Sequence, residues 1–380
     1  MVPSQEPMQS AEFEKPAQVA QTSKQKILFF SIAGVLASLS IFLLGGWLLL
    51  QNQEEPKEPF VVVLPIRRAP PTVPLVEGFL EKMEELGYQE GVDVVYERTE
   101  YIESTPEGLA QIRELYRSHI AQDLDLIVAV SNVDTPMVLE ETKIAGKFIP
   151  VIAGDMTDPV EVGLIESFQS SGNNLTGVAE KRNDTLERAL DLFTRVVPGI
   201  KRIGVASDGF MVSGPTAPGP AYLKALRQAA EKLDIEIVEY TTIVPPGHGY
   251  LEEVEKVFDN IQEGEIDAFV HLPAHLYGNQ QAYEHEMTLR IKAVLMLPAI
   301  EYDDKTGEPM GLFVYGADFH SKGKQLAVMA DKILRGGVSP SEIPIELPLK
   351  YSVAINLKTA EAIGITVPQE ILELADVIIE

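Results

Sequence analysis

Residues 149–178 read IPVIAGDMTDPVEVGLIESFQSSGNNLTGV, and the rest of the chain is laid out on either side of them. The stretch opens on the apolar run Ile149-Pro150-Val151-Ile152-Ala153. Bounded by Gly, Asp and Pro, such a run has the pattern of a buried strand. The polar turn GDMTDP, residues 154–159, follows. A turn of this kind at a strand's C-terminal end is where open α/β sheets take small ligands. Val162, Leu164, Ile165 and Phe168 predict a short amphipathic element, and Gly172-Asn173-Asn174-Leu175-Thr176-Gly177-Val178 turns into another strand. The stretch therefore predicts one lip of a ligand site, then the passage between two lobes.

Upstream, apolar runs at 60–64, 92–96 and 124–130 read as strands, and helical spacing falls at 75–86, 109–120 and 136–145. Downstream the alternation restarts. Strands are expected at 203–206, 235–240, 268–272, 295–300 and 311–316. Helices are expected at 186–197, 222–233, 251–261, 281–292 and 324–334, and the stretches 353–357 and 360–363 finish the fold. Strand–helix alternation of this kind implies parallel, doubly wound sheets with right-handed crossovers.

Ahead of this part stands a different chemistry. Residues 1–26 are polar and carry Pro3, Pro7 and Pro16, the composition of a disordered tail. Residues 27–50, ILFFSIAGVLASLSIFLLGGWLLL, run 24 positions without a charge. That length spans a hydrocarbon core of about 30 Å as a helix. A cleaved signal peptide has a shorter apolar core and a small-x-small site, and neither is present. Lys24 and Lys26 precede the span, while Glu54, Glu55 and Glu58 follow it. The positive-inside rule then places the tail in the cytoplasm and the large domain outside. Residues 51–59, with Pro56 and Pro59, read as a stiff charged linker.

The formal net charge of −26 argues against a nucleic-acid partner, since phosphate binding is dominated by Lys and Arg. The absence of cysteine excludes a disulfide, a thiolate metal site and a Cys nucleophile. His271, His275, His285 and Glu286 raise a zinc reading, but Pro273 breaks any helix that would align the first two. Gly214 and Gly219 have phosphate-loop spacing, yet Pro220 and Ala221 occupy the positions that need Lys and Ser or Thr. No nucleophile motif supports hydrolase chemistry, so no catalytic residue, metal or cofactor is expected.

Five motifs stand together in a familiar order. They are Glu77-Gly78-Phe79 with Gly87-Tyr88-Gln89-Glu90-Gly91, Asp158-Pro159-Val160 with Gly163-Leu164-Ile165, and Asn174-Leu175-Thr176-Gly177. The stretch 336–347 and Ile355-Asn356-Leu357-Lys358-Thr359-Ala360 with Ile363-Gly364 and Pro368 complete the set. Over 60–380 the chain resembles the ABC transporter substrate-binding proteins related to the tryptophan/tyrosine-binding type. Asn173 in place of a second Gly, the long loop 209–220 and the absence of a lipid-bearing Cys depart from that pattern. The resemblance implies a type I periplasmic-binding-protein fold, two lobes joined by three crossings near 175–178, 312–315 and 343–346. Lobe one is then 60–176 plus 314–343, and lobe two is 177–312 plus 344–380. It also implies an ABC permease and ATPase as partners. A membrane-anchored sensing module that signals through a partner protein is the alternative.

Ligand residues are expected where strand C-termini from both lobes meet. From lobe one these are Arg67, Arg68, Ser131, Asn132, Asp155, Met156 and Thr157. From lobe two they are Ser207, Asp208, Pro273, His275, Tyr302 and Asp303. The set suits a small amino-acid-like zwitterion. Arg67 or a hydroxyl can hold a carboxylate, and Asp155 or Asp208 an ammonium. Tyr302, Met156 and His275 can flank an apolar or aromatic side chain. Each residue also has a plain turn role, because Asp, Asn and Ser after a strand satisfy local backbone groups.

Overall fold

Five parallel strands build a first sheet, and the order across it is β2-β1-β3-β4-β5. They are β1 (Phe60–Val63), β2 (Val94–Glu97), β3 (Leu126–Ala129), β4 (Val151–Thr157) and β5 (Leu175–Glu180). The coordinates are a computed structural model, and it describes residues 58–65, 72–99, 102, 106–130, 133–208, 219–242, 250–271, 280–302 and 307–380. The expected tail 1–26, anchor 27–50 and most of the linker lie outside the described residues. Among the described residues, no helix is long and apolar enough to cross a membrane.

The central strands are apolar on both faces: β3 is LIVA and fully buried. That is the composition a sheet needs when helices cover both sides. On one face pack α1 (Thr72–Glu85) and a helix from far along the chain, α8 (Phe319–Leu334). On the other lie α2 (Pro106–Ile120) and α3 (Asp134–Ala145). Helices α1 and α8 approach at two glycines. A Cβ on Gly78 would run into the His320 carbonyl, and one on Gly323 into the Leu75 carbonyl and the Phe79 nitrogen.

Seven strands build a second sheet in the order β12-β11-β10-β9-β8-β6-β7. They are β6 (Arg202–Asp208), β7 (Glu236–Thr242), β8 (Ala268–Val270), β9 (Val294–Leu297), β10 (Phe313–Ala317), β11 (Tyr351–Asn356) and β12 (Val377–Ile379). Its helices are α4 (Arg182–Val196), α5 (Gly219–Lys232), α6 (Tyr250–Asp259), α7 (Gln280–Ile291), α9 (Leu357–Ile363) and α10 (Gln369–Leu372). Apolar clusters lie on both faces. One includes Phe193 stacked on Phe313 at 5.5 Å, the other Phe258 edge-on to Phe269 at 5.6 Å. Residues Pro59–Glu380 form one compact unit.

Three details differ from the sequence reading. The amphipathic element expected around 162–168 is a series of turns whose apolar side chains plug the core: Leu164 and Ile165 are buried, and Phe168 packs beside them. Strand β12 was not anticipated; Val377 and Ile378 are exposed, so it lacks the alternation that marks a strand. The second sheet is not wholly parallel, because β11 runs antiparallel to β10. The chain leaves the second sheet at Ala317 and returns at Tyr351, directly opposite. A strand that re-enters where its neighbour left must run the other way.

The passages between sheets also have a definite place. Strand β5 stays whole in the first sheet, and the chain enters α4 at Arg182. It comes back after β10 at Asp318, whose side chain caps α8 by accepting from the Ser321 N–H at 2.8 Å. Glu346 then pairs with the edge of β5 by accepting from Ala179 and donating to Gly177. Thr176 Oγ1 donates to the Ile343 carbonyl at 2.9 Å and closes the same junction.

Candidate functional site

In a parallel sheet all C-terminal strand ends share one edge, where the side chains after the last ladder residue are free to meet a ligand. At that edge of the first sheet, β4 ends in Asp155, Met156 and Thr157. The ladder to β5 shifts register between Ala153 and Met156, which turns Met156 onto the face of Val151 and Ala153. Met156 is fully buried in the cluster formed with Ile127 and Val151. It therefore belongs to the core, and the flanking role expected of it is not what the geometry gives.

Asp155 meets a partner that the sequence reading did not foresee. Lys322, on the first turn of α8, is almost completely buried, and its Nζ donates to Asp155 Oδ1 at 2.7 Å and to Glu180 Oε1 at 2.5 Å. The Phe319 ring centre lies 4.5 Å from the same nitrogen. Burial pulls the Lys322 pKa down, but the two carboxylates outweigh it and leave the ammonium above its usual range. Lys322 is thus a permanent cation. Asp155 stays about one-third exposed, with Oδ2 uncommitted among the described residues.

The next residues along the edge reach the second sheet's helices. Thr157 Oγ1 lies 3.2 Å from the hydroxyl of Tyr222, on the first turn of α5. Tyr222 is buried, and burial pushes its phenol up to about 12. The guanidinium carbon of Arg182 sits 4.2 Å over the Tyr222 ring. Asp158, held at φ +46, accepts from the Arg182 N–H at 3.0 Å, and its other oxygen is 3.3 Å from Arg182 Nη2. Arg182 itself is 2% exposed. Tyr222 lies within electrostatic reach of Arg182, Asp155 and Glu180 together.

Behind this edge, Asp318 ties the other two passages together. It accepts from Lys350 Nζ at 2.9 Å, and its own N–H donates to the Lys350 carbonyl at 2.9 Å. Burial raises its pKa, but the Lys350 and Ser321 contacts outweigh that and hold the carboxyl below its usual range. Tyr315 and Tyr351 stack 5.6 Å apart beside it, at 11°.

On the second sheet, His271 follows β8 directly. Its Nδ1 lies 2.7 Å from Glu284 Oε2 of α7, and both are buried. Gln281 Nε2 is 3.4 Å from the other ring nitrogen. Among the described residues, no group of three or more His, Asp and Glu could hold a metal ion.

Of the expected ligand residues, Asp155 and Thr157 are brought to this edge. Tyr302 is 60% exposed, its backbone bridged to Pro309. Ser207 and Asp208 end β6 in register with Thr241 and Thr242, and only their backbone is described. Arg67, Arg68, Ser131, Asn132, Pro273, His275 and Asp303 lie outside the described residues. Glu180, Arg182, Tyr222 and Lys322 were not anticipated. The strand-end rule applied to β5 would have found Glu180 and Arg182. The spacing Phe319, Lys322, Leu326 put Lys322 on the apolar stripe of its helix.

With this geometry in place, the sequence matches the family of ABC transporter substrate-binding proteins over residues 61–379. The chain belongs to this family. As a substrate-binding protein it is a solute receptor and not an enzyme. It is 23% identical over 287 residues to a tyrosine-binding protein of Clostridioides difficile (strain R20291), covering 76% of this chain and 75% of the relative. Its fold is shared with an ABC domain from Streptococcus pneumonia solved in complex with L-Trp, at 19% identity and a TM-score of 0.65. That match covers 84% of this chain and all of the other. A conserved domain protein from Vibrio cholerae matches at 23% identity and a TM-score of 0.69, over 85% of this chain and all of the other. Both structures share the α/β architecture with parallel sheets, consistent with the type I periplasmic-binding-protein fold.

Proposed function

We propose that this substrate-binding protein captures a free amino acid, with an aromatic or other apolar side chain, between its two sheets and presents it to an ABC permease and ATPase. The observation that carries the reading is the first sheet's C-terminal edge. Asp155 offers an open carboxylate oxygen there, while Arg182 and Tyr222 stand nearby. Acceptor and donor side by side suit an ammonium and a carboxylate on one small molecule. The tyrosine-binding relative and the L-Trp complex support the same ligand class.

The lobes in this reading are 60–180 with 318–349, and 181–317 with 350–380. Ligand binding selects the state in which the lobes grip it, by its differential affinity for that state. Residues 27–50 hold the protein in the membrane, with the binding unit on the extracytoplasmic side. Asp208, Ser207 and the expected residues in the strand-end loops complete the grip from both lobes.

A thermal-shift panel of the full-length protein in mild detergent tests the ligand class. L-tyrosine, L-tryptophan, the remaining amino acids and a set of monosaccharides are compared. A saturable rise with L-tyrosine or L-tryptophan is expected, about 2.7 kcal/mol of stabilisation at a hundredfold excess over Kd. A rise with a sugar and none with any amino acid would overturn the reading.

A further inference from the structure

Arg182 is a buried cation whose donors are not filled. Among the described residues its Nε and Nη2 have no hydrogen-bond partner, although Arg182 is 2% exposed. Buried polar groups are nearly always satisfied, so an exception on a guanidinium calls for an explanation. Asp158 Oδ2 is 3.3 Å from Nη2, close enough for an ionic contact but not aligned as an acceptor. Asp158 is held in that place by its own backbone, at φ +46, and by the Arg182 N–H. The Tyr222 ring covers the flat face of the guanidinium.

Nε and Nη2 are the two nitrogens of one edge of the guanidinium fork. That edge is the one that chelates a carboxylate through two parallel N–H···O bonds. The local charges agree. Lys322 is committed to Asp155 and Glu180, so it has little left for a ligand. Three carboxylates, of Asp155, Asp158 and Glu180, face two cations, of Lys322 and Arg182. Among the described residues, Asp155 Oδ2 is an unfilled acceptor and Arg182 carries unfilled donors. Both lie within electrostatic reach of the Tyr222 hydroxyl.

We propose that the Nε–Nη2 edge of Arg182 is the seat of the ligand's carboxylate, with the ligand's ammonium at Asp155. The assignment rests on the amino-acid reading given above. It makes the first residue after the passage from β5 to α4 a ligand contact, so carboxylate binding acts directly on a joint between the lobes. It also sets specificity: an amine lacking the carboxylate leaves the buried fork unfilled and binds weakly.

Calorimetric titration of the full-length protein with L-tryptophan against tryptamine, and L-tyrosine against tyramine, tests it. The wild type should bind each amino acid about a hundredfold more tightly than its amine, the size of a desolvated bidentate pair. In Arg182→Gln the amino acid should lose most of that factor while the amine is unchanged, so the ratio falls toward one. Arg182→Lys keeps the charge without the fork and should lie between. If Arg182→Gln unfolds, as a melting curve reports, the Lys variant carries the test. An unchanged amino-acid-to-amine ratio in whichever variant folds would overturn the assignment of Arg182 alone. Wild-type protein that binds neither amino acid would overturn the ligand class, and this assignment with it.

Discussion

At the C-terminal end of its strands each sheet sets a buried basic side chain against carboxylates, and the two arrangements are built from different chemistry. In the first sheet the cation is Lys322, gripped by Asp155 and Glu180. In the second it is His271, against Glu284. A lysine between two carboxylates keeps its charge across the whole ordinary pH range. An imidazole beside one carboxylate titrates within it. The first sheet thus has a fixed electrostatic floor under the proposed ligand, and the second has an adjustable one.

The largest expected effect breaks the fixed floor. Lys322→Met leaves two neighbouring carboxylates without their cation, and removing one partner of a buried pair costs about 3 kcal/mol or more. Asp155 and Glu180 both retain some access to water, so the low end applies. A lowered urea midpoint, equally at pH 6 and pH 8, is the expected result. A midpoint within error of the wild type would mean that the pair contributes nothing and the floor is fixed by packing alone.

The adjustable floor has its own signature. Burial lowers the His271 pKa, but Glu284, with Glu301 beyond it, outweighs burial and leaves it raised. Gln281 is the neutral group on the far ring nitrogen. A raised folded-state pKa gives stability that is fully present below the unfolded value of about 6.5. It is lost as pH rises through the folded value, at no more than about 1.4 kcal/mol per pH unit for one proton. Urea midpoints across pH 5 to 9 should show this decline above neutrality. His271→Asn should remove the decline even though it lowers the midpoint overall. A decline that persists in the variant would place the titrating group elsewhere.

Asp155 separates floor from ligand contact. Asp155→Ala still leaves Lys322 its bond to Glu180, so the stability loss should be near 1 kcal/mol. Affinity for L-tryptophan or L-tyrosine should fall roughly tenfold or more, the worth of one charge-assisted bond. Calorimetry and urea midpoints on the same variant read both. A lowered midpoint with unchanged affinity would confine Asp155 to holding Lys322 and move the ammonium to Asp208.

How much of this was legible beforehand follows from which interactions are local. Strand runs such as LIVA at Leu126–Ala129 and the glycine after Ala145 announce their elements from a few neighbouring residues. The strand at Val151 was legible for the same reason, although it runs on to Thr157 where a turn was expected from Gly154. Lys322 was not, because its partners lie 142 and 167 positions away and a lysine in a helix ordinarily faces water. The first turn of α8 was missed with it, although Asp318 three residues before Ser321 is a cap signal. Met156 was assigned to the ligand because a turn was read from Gly154, whereas the strand continues through a register shift between Ala153 and Met156 that turns Met156 onto the Val151 face. The antiparallel run of β11 depends on where the chain re-enters the sheet, which no local pattern encodes.

The grip between the two sheets can be measured directly, because the chain contains no native cysteine to interfere with labelling. Glu161, in the turn beyond β4, and Lys224, on α5, are exposed and flank the Thr157–Tyr222 contact. Spin labels on Glu161→Cys and Lys224→Cys in the full-length protein report the distance across the site by pulsed electron resonance. Saturating L-tryptophan or L-tyrosine, whichever binds by calorimetry, should give a shorter and narrower distance distribution than the free protein. A distribution that does not change at saturation would contradict capture between the lobes.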